Sequence, residues 1–301
     1  MSTVLNARDI SKRYGKTTVL EGLNLDVDEG SVFGFIGPNG AGKTTTIKIL
    51  MNIIRPSEGR AEVLGVDSRR VGPKEFERIG YVSENQEMPD WMTVDYFLNY
   101  LRPFYPSWDT VRADELLRQF QLPRHRKLSQ LSRGMRMKAM LASSLAYRPR
   151  LIVLDEPFSG LDPMVREDLV QGLVESAAET TILISSHDLA DIETFASHIG
   201  YLEHGRLLFS EEMTSLAARF REIEVAVEPS ACVPGGPQWP RHWLRPETTP
   251  ALVRFVDTRF EDERTRSEIR QVLGEALHIS VNPMSLREIF VTLARNAERP
   301  A

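Results

Sequence analysis

The sequence predicts an α/β fold: a large core built on a mixed sheet, followed by a small separate α/β domain at the C-terminal end. Three observations carry this. Short apolar runs at 31–36, 151–154 and 181–186 alternate with segments of helical period. A Gly-rich turn at 37–45 joins the first of these runs to a helical stretch. Residues 229–250 hold six prolines and two glycines, and they interrupt the pattern as an irregular loop. The expected division is 1–215 and 216–301, with a helical subdomain at about 86–148.

Composition narrows the class. A chain of 301 residues, 42% hydrophobic and 26% charged, has the balance of an ordinary globular protein with a sizeable core. Acidic residues outnumber basic ones by 42 to 37, giving a net charge of -5. No overall positive field attracts a phosphate backbone, so non-specific nucleic-acid binding is not expected. Cys232 stands alone, which excludes an intrachain disulfide and fits a reducing compartment. The first residues lack the charged-then-apolar pattern of a secretory signal. No apolar run approaches the roughly 18 residues of a membrane span. The expectation is a cytoplasmic protein whose membrane role, if it has one, comes through a partner.

Residues 1–35 read as strands. Leu23, Leu25 and Val27 face one way while Asn24, Asp26 and Asp28 face the other, and Glu29-Gly30 closes the run. Tyr14 lies in the polar turn Lys12-Arg13-Tyr14-Gly15-Lys16, where it is either a surface residue or a platform for a nucleotide base. Next comes Gly37-Pro38-Asn39-Gly40-Ala41-Gly42-Lys43-Thr44-Thr45, the P-loop spacing G-x-x-x-x-G-K-[ST] between strand and helix. Gly37, Gly40 and Gly42 let the backbone bend around a phosphate chain. Asn39, Thr45 and their neighbours turn N–H groups inward, at a helix N-terminus that adds positive charge. Lys43 would reach the β- and γ-phosphates, and the Thr44 hydroxyl would hold Mg²⁺.

Short strands are expected at 61–65 and 79–82. Trp91, Tyr96, Phe97, Tyr100, Phe104, Tyr105 and Trp108 then crowd into one stretch. Thr93 is an N-cap for a helix with Val94, Phe97, Leu98 and Leu101 on one face, stopped by Pro103 and Pro106. A second helix covers 110–121, with Ala113, Leu117 and Phe120 inward. Most of the aromatics read as subdomain core, with Trp91 and Tyr100 as the alternative lining of a partner groove. Leu131-Ser132-Arg133-Gly134-Met135 opens a helix to about 146. The buried run 151–154 ends in Asp155-Glu156. Asp162-Pro163 caps another helix, 181–186 ends at His187, and 201–208 is a hairpin turning at His204-Gly205. In the last domain, strands at Ile223–Val227, Val253–Phe255 and Ile279–Val281 flank a helix at 261–276. Ser285-Leu286-Arg287-Glu288 has capping-box spacing.

A carboxylate at a strand end beside a P-loop completes Mg²⁺ ligation, the role expected of Asp155. Glu156 points differently and would act as general base toward the attacking water. His187, at the next strand end, would hydrogen-bond the γ-phosphate and fix that water.

In this order and spacing the motifs resemble the ATPase subunits of ABC transporters, over about residues 4–214. The resemblance makes 37–45 the P-loop, 131–135 the signature motif, 151–155 the Walker B strand with Glu156 after it, 159–162 the D-loop, His187 the switch histidine and Tyr14 the base-stacking aromatic. It implies a P-loop NTPase core with a helical signature subdomain, ATP and Mg²⁺ as cofactors, and ATP hydrolysis that powers a separately encoded membrane permease. It also implies a head-to-tail dimer in which Ser132 and Gly134 of one subunit meet ATP on the P-loop of the other. The segment after 84 would dock the permease, placing the protein on the inner face of the membrane. Glu84 and the C-terminal extension look most like bacterial exporter-type systems. Two departures stand out. Arg133 and Met135 replace a Gly and the Gln of the usual L-S-G-G-Q. Glu84 occupies the Q-loop position, with Gln86 two residues on; Glu84 would then contact Mg²⁺ and couple the active site to the docking surface. The competing functions are a soluble ATPase of this type acting on nucleic acid or ribosomes, and a low-turnover nucleotide-binding regulatory module.

Overall fold

The computed structural model describes residues 2–84, 86–228 and 239–297, so Cys232 and the first part of the proline-rich loop lie outside the described residues. Two strands, β1 (Thr3–Tyr14) and β2 (Thr17–Asp28), open the chain as an antiparallel pair. Leu23, Leu25 and Val27 are buried while Asn24 and Asp26 are exposed, as the alternation requires. β3 (Val32–Ile36) is buried along its whole length. α1 (Lys43–Leu50) starts at Lys43, within the 37–45 motif. Gly42 sits at φ 112, a conformation L-residues avoid, and the turn it makes brings the first free N–H groups of the helix to 43–45.

β4 (Glu58–Val63) and β5 (Val66–Asp67) complete an antiparallel sheet ordered β2-β1-β4-β5. The short α2 (Pro73–Phe76) leads into β6 (Ile79–Ser83). Three capped helices follow. The Thr93 hydroxyl accepts from Tyr96 N–H to start α3 (Val94–Leu101), which gives way to a tight turn at Pro103. Asp109 caps α4 (Thr110–Gln119) through Arg112 N–H, and Ser132 caps α5 (Arg133–Leu145). β7 (Leu151–Asp155) precedes α6 (Pro163–Ser176), where Asp162 caps and Pro163 takes the first position. β8 (Thr181–Ser186), β9 (His198–Glu203) and β10 (Arg206–Glu212) follow. His204 and Gly205 both have positive φ, as a two-residue hairpin needs.

The second sheet runs β10-β9-β3-β8-β7-β6. β9, β3, β8, β7 and β6 pair in parallel, with Ile36 beside Ser186 and Asp155 beside Ser185. Parallel pairing in this register sets the carboxyl ends of β3, β8 and β7 side by side. One apolar cluster, including Leu23, Phe33, Phe35, Ile47, Leu50 and Leu151, joins both sheets to α1. The phosphate-binding turn therefore stands on a packed core.

The chain divides into two compact units, Met1–Ser210 and Glu211–Ala301. The second contains α7 (Met213–Arg219), β11 (Arg221–Ala226), β12 (Trp243–Thr248), β13 (Leu252–Asp257), α8 (Asp262–Leu273), β14 (His278–Pro283) and α9 (Leu286–Ala297). Its sheet, ordered β12-β13-β11-β14, is antiparallel throughout. Ile223, Val225, Phe255 and Ile269 form its core with Trp243, whose ring stacks on Phe255 at 3.8 Å. Ser285 and Glu288 make the reciprocal capping box at 3.3 and 2.7 Å. Reading all of 229–250 as irregular needs correction, because β12 lies within it. Its Pro246 is tolerated on an edge strand where the register shifts between Leu244 and Glu247 and Arg245 takes φ 52. α7 was not anticipated either.

Candidate nucleotide site

Asp155 is buried at the end of β7, where a bare carboxylate would be costly. Two hydroxyls satisfy one oxygen: Thr44 Oγ1 donates to Asp155 Oδ1 at 3.0 Å and Ser185 Oγ donates to it at 2.8 Å. Burial pushes the Asp155 carboxyl above the usual range, while the Ser185 and Thr44 hydroxyls pull it back. Ser185 also accepts the Glu156 N–H at 3.0 Å. This holds Glu156 at φ 53, a left-handed conformation rare for such a side chain. The kink turns adjacent residues in different directions, Asp155 toward Thr44 and Glu156 toward Lys43.

Lys43 is only 6% exposed, and a buried ammonium must be paired. Its Nζ donates to Gly37 O at 2.6 Å and Pro38 O at 3.2 Å, and lies 3.0 Å from Glu156 Oε1. Glu156 Oε2 is 2.8 Å from His187 Nδ1. Gly37 has no space for a side chain, since a Cβ would meet Leu202 O at 2.1 Å. Lys43, Thr44, Asp155, Glu156 and His187, drawn from two strand ends and one helix, thus form one polar cluster. Gly37 closes it from the turn.

The remaining candidate residues lie apart from this network. Tyr14 is half exposed at the end of β1, with Lys12 Nζ 4.9 Å from its ring centroid. Asn39 and Gly40 are exposed on the turn, while Gly42 and Thr45 flank the start of α1. Ser132 Oγ accepts Met135 N–H at 3.2 Å, so its hydroxyl is the cap of α5. Gly134 is buried because α6 packs there: a Cβ would approach Val165 Cγ1 to 2.7 Å. Among the described residues, no hydrogen bond or ion pair ties 131–135 to the Lys43 cluster. Glu84 N–H donates to Asp155 O at 3.1 Å, which fixes its backbone beside β7. Its carboxylate, expected at the metal, is paired instead with Arg133. The Gln86 side-chain carbonyl accepts Ser83 N–H at 3.4 Å, within its own loop.

Sequence reasoning missed Ser185, which serves Asp155 and Glu156 at once. Two serines closing the apolar run of β8 were the available signal. It also missed Asp191, buried beyond His187. Asp191 accepts from Ser186 Oγ at 2.7 Å and pairs with Arg166 of α6, tying the His187 loop to the helix after the D-loop. Burial pushes the Asp191 carboxyl up.

The ABC transporter family model matches residues 20–159. The ABC transporter ATP-binding protein YtrB of Bacillus subtilis (strain 168) is 34% identical over 227 residues, 75% of this chain and 77% of that protein. The bacitracin transport ATP-binding protein BcrA of Bacillus licheniformis is 33% identical over 227 residues, 74% of each. The daunorubicin resistance ATP-binding protein DrrA2 of Streptomyces coeruleorubidus is 36% identical over 241 residues, 76% of this chain and 74% of that one. Among solved structures, an ATP-binding subunit of an ABC transporter matches with a TM-score of 0.65 at 29% identity, covering 72% of this chain and 92% of its own. With a P-loop lysine, a buried strand-end aspartate and a following glutamate in one cluster, this chain belongs to the ABC transporter ATP-binding proteins, the ATP-hydrolysing subunits that power transport.

Proposed function

We propose that ATP is cleaved by water activated at Glu156, in a sandwich of two such subunits docked on a separate membrane permease of exporter type. The cluster of Lys43, Thr44, Asp155, Glu156 and His187 is the observation that carries this reading. Thr44 and Asp155 fit a Mg²⁺ ion: both present hard oxygen donors, already within 3.0 Å of each other at the foot of the phosphate-binding turn. When bound, Mg²⁺ supplies charge neutralisation at the β- and γ-phosphates. Lys43 binds the same phosphates and, in doing so, exchanges its contact with Glu156 for them. Glu156 then takes the proton of the attacking water. His187, already 2.8 Å from Glu156, orients the base and meets the γ-phosphate. Tyr14 supports the base of the nucleotide. The end of α5, with Ser132 and Gly134, completes the site on the other subunit's ATP.

The docking surface is the aromatic segment on and around α3. Phe97 and Leu98 are buried as core, whereas Trp91, Tyr96, Tyr100 and Phe104 are 63, 51, 49 and 59% exposed. Trp91 pairs with Tyr96 at 5.4 Å and Tyr100 with Phe104 at 5.6 Å. Such a patch suits an amphipathic partner helix. No helix among the described residues is long and apolar enough to cross a membrane, and on this reading the membrane path lies in the permease. The names of the bacitracin and daunorubicin relatives favour export. Residues 211–301 form an accessory domain that contributes no residue to the Lys43 cluster. The test is affinity purification of the chain from detergent-solubilised membranes of its own host. A multi-span protein should co-elute, stimulate the ATPase, and be lost from a Trp91→Ala/Tyr100→Ala variant. Recovery of active ATPase from the soluble fraction alone, with no membrane protein attached, would overturn the docking reading.

A further inference from the structure

Two of the positions where the sequence leaves the family pattern, Glu84 and Arg133, touch each other. Arg133 begins α5, and its guanidinium lies between the Glu84 carboxylate and Gly160 of the D-loop. A Cβ on Gly160 would sit 2.8 Å from Arg133 Nη1, so the guanidinium lies directly against the Gly160 backbone. One helical turn later, on the same face of α5, Arg136 pairs with Asp90. Both pairs line one cleft of about 630 Å³, together with Met88, Leu131, Met137 and Met140. Two carboxylates of the 84–90 segment therefore meet two guanidiniums of one helix face.

A single half-exposed ion pair holds little. Two pairs on one helix face act together, and each Arg offers a planar fork that matches a carboxylate better than an amide. The connections at either end are specific. Glu84 N–H is bonded to Asp155 O, at the foot of the catalytic cluster. Arg133 directly follows Ser132, the cap of the helix whose end is to meet ATP. Each departure explains the other. A carboxylate at 84 near a triphosphate is unfavourable unless a cation neutralises it, and Arg133 does so without a metal.

We infer that Glu84–Arg133 and Asp90–Arg136 form a two-point latch within one subunit, which fixes the start of the signature helix against the end of β7 and the D-loop. Arg133 is then a positioning residue, and Glu84 is its anchor and not a ligand of Mg²⁺. This rests on the sandwich arrangement proposed above, because only there does the placement of α5 govern hydrolysis.

The test is a charge swap in the full chain, read by phosphate release against ATP concentration and by binding of a fluorescent ATP analogue. Glu84→Arg and Arg133→Glu should each lower kcat about tenfold, the scale of coupling between contacting charges. Analogue binding to the P-loop should stay within about twofold, since neither side chain reaches the Lys43 cluster. The double variant should recover kcat to within about threefold of the parent. Asp90→Arg, Arg136→Asp and their double variant should repeat the pattern, and they carry the test if the first set does not fold. A double variant no faster than its worse single would overturn the latch and return Glu84 to a direct role at the metal. Failure of the sandwich itself reads differently: Glu156→Gln would then show no ATP-driven dimer, whatever the swaps do.

Discussion

Glu156→Gln separates the two jobs proposed for Glu156. As the base, it must accept a proton from water, which an amide cannot do. Removing a positioned general base costs about 10²- to 10⁴-fold in rate, so steady-state phosphate release should fall to that extent. As the partner of Lys43, it has a second effect. The carboxylate lies 3.0 Å from Lys43 Nζ and both groups are largely buried, so arriving phosphates must draw the ammonium away from it. Glutamine keeps the shape and an acceptor oxygen but loses the charge. A hydrogen bond to a charged group contributes about 1.5–3 kcal/mol, and a neutral acceptor retains roughly half of that. The difference, about 1 kcal/mol, should tighten ATP binding roughly fivefold. The assay pairs phosphate release with equilibrium binding of ATP on the same preparation, and size-exclusion chromatography reports the dimer trapped by ATP. Unchanged phosphate release would remove Glu156 as the base. Lost hydrolysis with weaker ATP binding would refute the competition between Glu156 and the phosphates for Lys43.

Lys43→Ala should weaken ATP binding about 10- to 100-fold, the worth of a charge-assisted contact to the phosphates, and it also leaves Glu156 without its cation. Equilibrium binding checks this, and a variant that binds as tightly as the parent contradicts the phosphate assignment. The Mg²⁺-dependent part of ATP affinity should be acid-sensitive. Burial raises the Asp155 carboxyl, so it protonates at a higher pH than an ordinary aspartate near about 3.9, and the protonated form is a poor metal ligand. As pH falls, protonation of Asp155 should therefore remove part of the metal-dependent affinity, and Asp155→Asn should remove that part of the pH dependence. A pH profile shared by parent and variant would assign the titration elsewhere.

The P-loop, the buried strands and the capped helices were legible because each rests on local rules. Asp162-Pro163, Thr93 and the Ser285–Glu288 box cap the helices that their spacing predicts. Lys43 and Thr44 were named from the P-loop spacing and Asp155, Glu156 and His187 from strand-end positions, and parallel register brings them together. What stayed hidden depends on partners distant in sequence. No spacing rule says that Arg133 turns toward Glu84, 49 residues away, instead of toward a phosphate. Gly134 could be read as a phosphate ligand, and only the approach of Val165 adds its packing role. β12 was lost because proline and a positive-φ arginine erase the strand pattern, while pairing with β13 and burial of Trp243 restore the strand.

Each charged side chain of the Lys43 cluster is met by a partner, and on the proposed reading this sets an order of events. Lys43 neutralises Glu156, Thr44 and Ser185 hold Asp155, and His187 caps the free oxygen of Glu156. A glutamate whose oxygen faces an ammonium at 3.0 Å is engaged by it until that contact is exchanged for another. Triphosphate is the stronger claimant on Lys43, since it offers several oxygens and more negative charge. Its binding frees Glu156 where the terminal phosphate and its attacking water lie. On the proposed reading Glu156 is thus released only after the substrate is seated, and the contact that enforces this order is the one between Lys43 and Glu156.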